Sequence, residues 1–466
     1  MPKVLPFINR RAFLVIELLI AIGLFALVFT LIGGALVAGQ QGESFSGSRS
    51  RALLLAAEGL EATRSISGNG WDNLIPGTFG LATSSGHWVL SGANDLIGSF
   101  TRQLTITDLD LRTKRVTSRV NWFSLPTKNE SVTLTEDLTN WHVSWSATST
   151  EQGALNISGG QNAVKVAVSG NYAYVIFKAV SQNFAVINIA TPTSPAVVGT
   201  ASLSNEPKNI AVRGNYVYIA SKNNSQELQV VDISNPAAPT QVGAYNASGN
   251  EDGLGVAATG TVVLLGRDQG TPGFLIINVA TPTNPTLLGS LTFAQDTRVN
   301  EVAVIGKYAY LSTDDDSGEL KVIDISNLSA PTLVASLDLS GSSEATSIAG
   351  FGTTVVVGQQ NGGVGLAIVN VATPTSPTLF ATFPVNGNVN DVVLGRNGTH
   401  AFLATTQSDK ELQVVNLVTP SLPALLSFFN TSGSLTGIDY QPIQDRIYVV
   451  GQDNSAEFMS FKPNQP

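Results

Sequence analysis

Three hydrophobic patterns succeed one another along the chain. From Phe13 to Ala38 the only charged residue is Glu17. As a helix this run would reach about 39 Å against a hydrocarbon core of about 30 Å, so it predicts a transmembrane span over 13–38. Leu53, Ala56, Ala57 and Leu60 then recur at i, i+3, i+4 and i+7, which predicts an amphipathic helix running on to Ile66. Gly33, Gly34, Gly39, Gly42 and Gly47 lie between the two stretches and favour a bend, each weakening a helix by about 1 kcal/mol relative to Ala. After Trp71 the period changes to two, in Arg102 to Leu109, around Val116 to Trp122, and in Val132 to Leu134, predicting short antiparallel strands.

From about Glu151 onward the pattern is a repeat. Six segments align without gaps, beginning at Phe184, Leu228, Phe274, Leu320, Leu366 and Leu412, with spacings of 44 and then 46 residues. Each follows a hairpin-like element whose glycine recurs at 170, 214, 260, 306, 352 and 398; a seventh copy has Gln444 and Asp445 at that turn. A period in the middle forties with four strand-like pieces per unit predicts propeller blades. The seventh copy lacks a fourth strand, whereas Ala154 to Ser158 reads as a fourth strand without its own blade. Pairing the two would cover both open edges, so the expected ring has seven blades closed by an N-terminal strand.

Within the repeat, Asn188, Asp232, Asn278, Asp324, Asn370 and Asn416 end the third strand, where an Asx side chain can bond the backbone of the next turn. Pro195, Pro239, Pro285, Pro331, Pro377 and Pro423 follow at the start of the fourth, a position that tolerates a missing amide donor.

The N-terminal run fits three kinds of segment: a cleaved secretion signal, a plain signal anchor, and a processed filament-subunit leader. A secretion signal normally has a shorter apolar core and a clear small-x-small site, for which only Leu36-Val37-Ala38 is available. A plain anchor leaves Glu17 unpartnered at a cost of about 2.5 to 3.5 kcal/mol near the bilayer centre. Lys3, Arg10 and Arg11 precede the run and orient it with the later chain outside the cytoplasm. The segment RRAFLVIELLIAIGLFALV resembles the class III leader of type IV prepilins and type II secretion pseudopilins. The resemblance implies cleavage between Ala12 and Phe13, with Glu17 as the fifth mature residue pairing with the new amino terminus of a neighbour; Ala12 departs from the commoner Gly. It also implies prepilin peptidase, other pilins or pseudopilins and the membrane as partners, and a long helix on a small sheet as the domain that follows. The repeats in turn resemble the LVIVD repeat family of surface proteins, the likeness resting on VVDIS at Val230 and VIDIS at Val322. That resemblance implies a secreted or surface-attached propeller and no enzymatic chemistry.

Charge and composition narrow the chemistry. Residues 1–149 carry 12 basic against 11 acidic side chains and residues 150–466 carry 13 against 23, so the repeat region is the acidic part. An acidic field argues against nucleic acid as a partner. There is no cysteine, hence no disulfide, thiolate nucleophile or thiolate metal ligand. His87, His142 and His400 are the only histidines, and His400 occupies the tyrosine position of its blade hairpin. Asp314, Asp315, Asp316 and Glu319 form the one acidic cluster with oxygen ligands for a hard cation such as Ca²⁺, but they fall in the variable loop between second and third strands, and a solvated loop is the preferred reading.

These readings combine into one expectation. A prepilin leader (1–12), an N-terminal helix (13–66, spanning the membrane over 13–38), a small α+β pilin-like domain (67–148) and a seven-bladed β-propeller (149–466) make a single-pass membrane protein with an extracytoplasmic C-terminal domain. No cofactor and no catalytic residue are expected. The expected function is a pilin-like subunit displaying a binding or adhesion propeller to a protein or glycan ligand. A surface scaffold, or a propeller hydrolase or lyase, is the alternative. A head of this length would be about 50 Å across, whereas packed helices sit about 8 to 10 Å apart, which points to a minor or tip subunit.

Overall fold

The computed structural model describes residues 47–462 apart from 68–70, 85, 110–112, 126–127, 140–149, 158–161, 179–180, 294–296, 340–342, 361–363, 432 and 453–455. The chain divides into two compact units, Met1–Trp141 and His142–Pro466.

In the first unit, residues 47–67 are helical and are followed by six strands: β1 (Gly77–Ser84), β2 (His87–Ser91), β3 (Asp95–Ile97), β4 (Phe100–Asp108), β5 (Thr113–Leu125) and β6 (Lys128–Thr139). They form one antiparallel sheet in the order β2-β1-β4-β5-β6, with β3 paired to β4. The helix buries Ala52, Leu55, Ala56, Ala62 and Ile66 against Phe100, Leu104, Val116 and Val120 of the sheet. This stripe is rotated from the one the periodicity suggested: Leu53 and Leu54 face outward at 48% and 71% exposure. Small residues face the sheet because the backbones approach closely; a Cβ on Gly59 would lie 2.4 Å from Ser118 Oγ. Arg102, 2% exposed, fastens the two layers by donating to the Leu55 carbonyl at 3.1 Å and pairing with Asp95 at 2.8 Å.

The expected fold and location need correction here. The described chain is mainly β, and a sheet-dominated unit, in which β5 and β6 run 13 and 12 residues, stands in place of a small pilin-like α+β domain. The helix 47–67 carries Arg49, Arg51, Glu58, Glu61 and Arg64, and no described helix is long and apolar enough to cross a membrane. A single-pass membrane anchor therefore has no support among the described residues. The expected span 13–38, with Ala12, Phe13 and Glu17, lies outside them.

The second unit is a ring of seven four-stranded antiparallel sheets. Their innermost strands begin at Ala163, Glu206, Gly253, Val299, Ala345, Val389 and Leu435, and each lies beside the next, the last returning to the first. Third strands such as Phe184–Asn188 and Phe274–Asn278 are buried at all but their last residue, which explains their apolar runs FAVI and FLII. The core sits between blades: Tyr174, Ile176 and Val186 of the first pack on Ile210, Val217 and Ile219 of the second. The turn glycines 170, 214, 260, 306, 352 and 398 all have φ between +56° and +79°, the region a hairpin turn demands and side chains avoid. All six Asx residues act as expected, Asp232 Oδ1 accepting from Ser234 N at 2.8 Å and Asn278 Oδ1 from Ala280 N at 2.9 Å, for example.

Closure uses the strand β7 (Thr150–Leu155), which pairs with Phe458–Lys462 as the outer strand of the seventh blade. Gly153 stands in the register of Gly199, Gly243 and Gly289; a Cβ at any of the four would lie within 2.4 Å of the backbone carbonyl of Pro192, Pro236, Pro282 or Leu328 in the next blade. The seam is also tied by Ile157 N, which donates to Glu457 Oε2 at 2.8 Å across 300 residues of sequence.

Candidate functional site: the central channel

One position in each innermost strand, two residues past its start in most blades, carries Lys165, Asn209, Gly255, Glu301, Ser347, Asp391 and Gly437 in blade order. A bulge in every innermost strand falls beside this position, as between Ala163 and Lys165 or Val389 and Asp391. The bulges aim the longer side chains across the ring. Lys165 Nζ lies 2.6 Å from Asp391 Oδ1 and 3.1 Å from Glu301 Oε1, so one ammonium from the first blade reaches the fourth and the sixth. Asn209 Nδ2 donates to the same Glu301 oxygen at 3.2 Å. Glu301 Oε2 accepts from Ile348 N at 3.0 Å, and Asp391 Oδ2 from Ile438 N at 2.8 Å, so each carboxylate also holds the backbone of the following blade. Gly255 and Gly437 serve close approach instead: a Cβ on either would sit 2.8 Å from the Cα of Glu301 or Lys165.

The network is nearly dry. Side-chain exposure is 12% for Lys165, 14% for Glu301 and 6% for Asp391. Burial opposes the charge on Lys165, but Asp391 and Glu301 outweigh it and hold the ammonium above its ordinary pKa. Burial likewise holds Asp391 above the usual carboxylate range, against the pull of Lys165. Asp439 completes the group at the seam between the seventh and first blades, accepting from Val168 N and Tyr440 N, each at 2.7 Å. Burial pushes its carboxyl up to about 6.

Asp439 therefore makes stability depend on pH. Its folded pKa exceeds the unfolded value of 3.8, so its contribution is fully present below that value and is lost as pH rises through about 6. Asp439→Asn is expected to remove this component. The stability advantage of the wild type, read as the difference in Tm from pH 3.5 to 7.5, should fall between about pH 4 and 6 and level off above that; a constant difference would refute the assignment.

The acidic loop is dispersed by the fold. Asp314 Oδ1 accepts from Arg298 N at 2.7 Å, Asp315 pairs with Lys321 at 2.6 Å, and Asp316 is exposed. Burial opposes it, but Lys321 and Ser317 bring the Asp315 carboxyl down to about 2. Glu319 points inward, 1% exposed, and its Oε2 accepts from Leu339 N at 2.8 Å. The same staple recurs in Glu227 to Ala247 N, Glu411 to Thr431 N and the seam residue Glu457. No group of three or more metal-ligating side chains among the described residues could hold an ion. His400 Nδ1 lies 2.9 Å from Thr399 Oγ1 and its ring stacks on Phe402 at 6.3 Å; His142 lies outside the described residues. In the first unit His87 lines a cleft of about 560 Å³ with Ile66, Ile75, Trp88 and Leu90.

Sequence reasoning missed the channel network. It found no polar constellation there because Lys165, Asn209, Glu301 and Asp391 are scattered over 227 positions and none recurs. The usable signal was the repeat itself, since aligning the blades stacks one variable polar position just before an invariably apolar one.

The sequence model of the LVIVD repeat matches residues 160–202, 206–247 and 297–338, which fall on the first, second and fourth blades. The chain carries LVIVD repeats. Among solved structures, the RRP9 WD40 repeats are 11% identical with a TM-score of 0.54, covering 68% of this chain and 99% of that one. A chain of the Mitotic Checkpoint Complex is 12% identical with a TM-score of 0.54, covering 69% and 96%. A chain of Kuenenia stuttgartiensis hydrazine synthase is 12% identical with a TM-score of 0.51, covering 67% and 98%. At such identities the likeness concerns the fold alone, and it establishes a β-propeller repeat protein. No curated protein sequence matches the chain.

Proposed function

We propose that the LVIVD-repeat propeller is a non-catalytic binding module, carried by a minor or tip subunit of a type IV pilus or pseudopilus. The observation that supports the non-catalytic part is the channel: among the described residues its ammonium, Lys165, and its carboxylates, Glu301 and Asp391, bond to one another and to backbone amides and are engaged in holding the ring. Binding to a protein or glycan then falls to the faces of the ring. The filament part rests on the leader-like sequence, with processing between Ala12 and Phe13 and Glu17 as the assembly contact. Prepilin peptidase and smaller major pilins are the partners this reading requires.

The test is the N-terminal residue of the protein recovered from cells with and without the peptidase. A start at Phe13 that requires the peptidase is the expected result, together with a copy number far below that of the major subunit in purified filaments. A start at Met1 or after Ala38 would end the filament reading, and Glu17→Ala should abolish incorporation without altering the fold of the propeller.

A further inference from the structure

We propose that the outer edge of the fifth and sixth blades is an interface at which two copies of this chain pair about a twofold axis. The repeat supplies its own control for what an exposed position needs. After Asn416, the sixth blade carries Val418, Leu422 and Phe428, exposed at 66%, 75% and 46%. The equivalent positions of the first five blades hold only Ala, Ser, Thr or Asn, as with Ala190, Ser194 and Thr200 in the first and Ala372, Ser376 and Thr382 in the fifth. A large apolar side chain at these positions has no part in building a blade, since five blades form without one. Lys410 lies 5.0 Å from the Phe428 ring centre and still leaves nearly half of that side chain uncovered.

The patch extends onto the fifth blade. The outer strand of that blade, Thr378–Phe383, exposes Leu379 and Phe380 just before Ala381, which holds the register in which Gly153, Gly199, Gly243 and Gly289 meet the loop of the following blade. Leu417 of the sixth blade shares a buried cluster with Phe383, so the two edges lie side by side. Contiguous exposed apolar surface of this kind marks an interaction site. Charge selects the occupant. Residues 345–438 hold three acidic and two basic side chains, of which Asp391, Glu411 and Arg396 are turned inward. The remainder of 150–466 holds 20 acidic against 11 basic. Two copies approaching by the other blades would meet like charge, which keeps proteins apart, whereas this arc presents only Asp409 beside Lys410 and is neutral. The surface that matches a neutral apolar patch on an acidic ring is the same patch on a second ring, and a twofold axis lays each patch onto its own copy.

The pairing does not depend on the filament reading, and sedimentation equilibrium of the purified full-length protein tests it. The expected species has twice the mass of one chain. Val418→Ala, Leu422→Ser and Phe428→Thr together restore the residues of the fifth blade, so circular dichroism should stay that of the wild type while the dimer weakens by roughly 100-fold or more. The chain has no cysteine, so a single introduced thiol reports its own surroundings. Leu422→Cys should give a cross-linked dimer with a short bismaleimide, and Asn284→Cys, at the same position in the third blade, should not. A monomeric wild type would overturn the proposal and leave the patch to a different partner. A dimer undiminished in the triple variant, or cross-linking that is the same at 284 and 422, whether present or absent, would overturn it as well.

Discussion

Replacing Lys165 by Met is expected to destabilise the propeller by about 3 to 5 kcal/mol, the scale seen when one partner of a buried ion pair is removed. The reason is the number of carboxylates that depend on it. Glu301 and Asp391 would keep their backbone donors but lose the one cation within bonding distance, leaving two negative charges in a channel where their side chains are 14% and 6% exposed. Denaturant unfolding of the two proteins gives the difference. The triple variant Lys165→Met, Glu301→Gln, Asp391→Asn should recover most of the loss, since the deficit comes from uncompensated charge and not from the missing attraction. A Lys165→Met loss below about 1 kcal/mol would show that channel water solvates the carboxylates, as at an exposed pair.

The second large effect belongs to the closing strand. Gly153→Val should prevent β7 from seating, because the new Cβ would start 2.4 Å from the Pro192 carbonyl and 3.1 Å from Pro195, and backbone cannot yield as a flexible side chain does. Overpacking of this kind costs about 1 to 3 kcal/mol by itself. Here it also strips the outer strand from Phe458–Lys462 and leaves an open edge that can pair with other chains. Limited proteolysis before residue 158 and light scattering should report release of β7 and self-association. Gly153→Ala brings the same Cβ against the Pro192 carbonyl and should show the same effect to a smaller degree, because it lacks the two γ-methyl groups; Ala335 and Ala381 hold this register in the fourth and fifth blades. Wild-type behaviour of both variants would mean that β7 contributes little to closure.

What could be read before folding differs between the two units for a physical reason. In the repeats each local rule appears six or seven times, so the turn glycines, the Asx residues and the prolines could be checked against one another. The N-terminal unit has no such redundancy. The periodicity of its helix places Leu53 with Ala56, Ala57 and Leu60 on the buried face, yet Leu53 is exposed. The sheet selected the stripe of Ala52, Ala56 and Gly59 because close backbone approach favours small side chains over apolar ones. In the acidic run Asp314 to Glu319, adjacency in sequence says nothing about which carboxylate turns inward, and only Glu319 does so.

The sequence by itself determined the four-stranded unit, the places where each strand turns, and the missing strand that the N-terminal side supplies. Those features follow from local chemistry: a glycine where φ must be positive, an Asx where a turn needs an acceptor, a proline where no donor is wanted. Only the tertiary structure decided that Lys165, Asn209, Glu301 and Asp391 meet in one channel. Their meeting depends on ring closure, which brings blades 1, 2, 4 and 6 within a side chain's reach through contacts that no local pattern encodes.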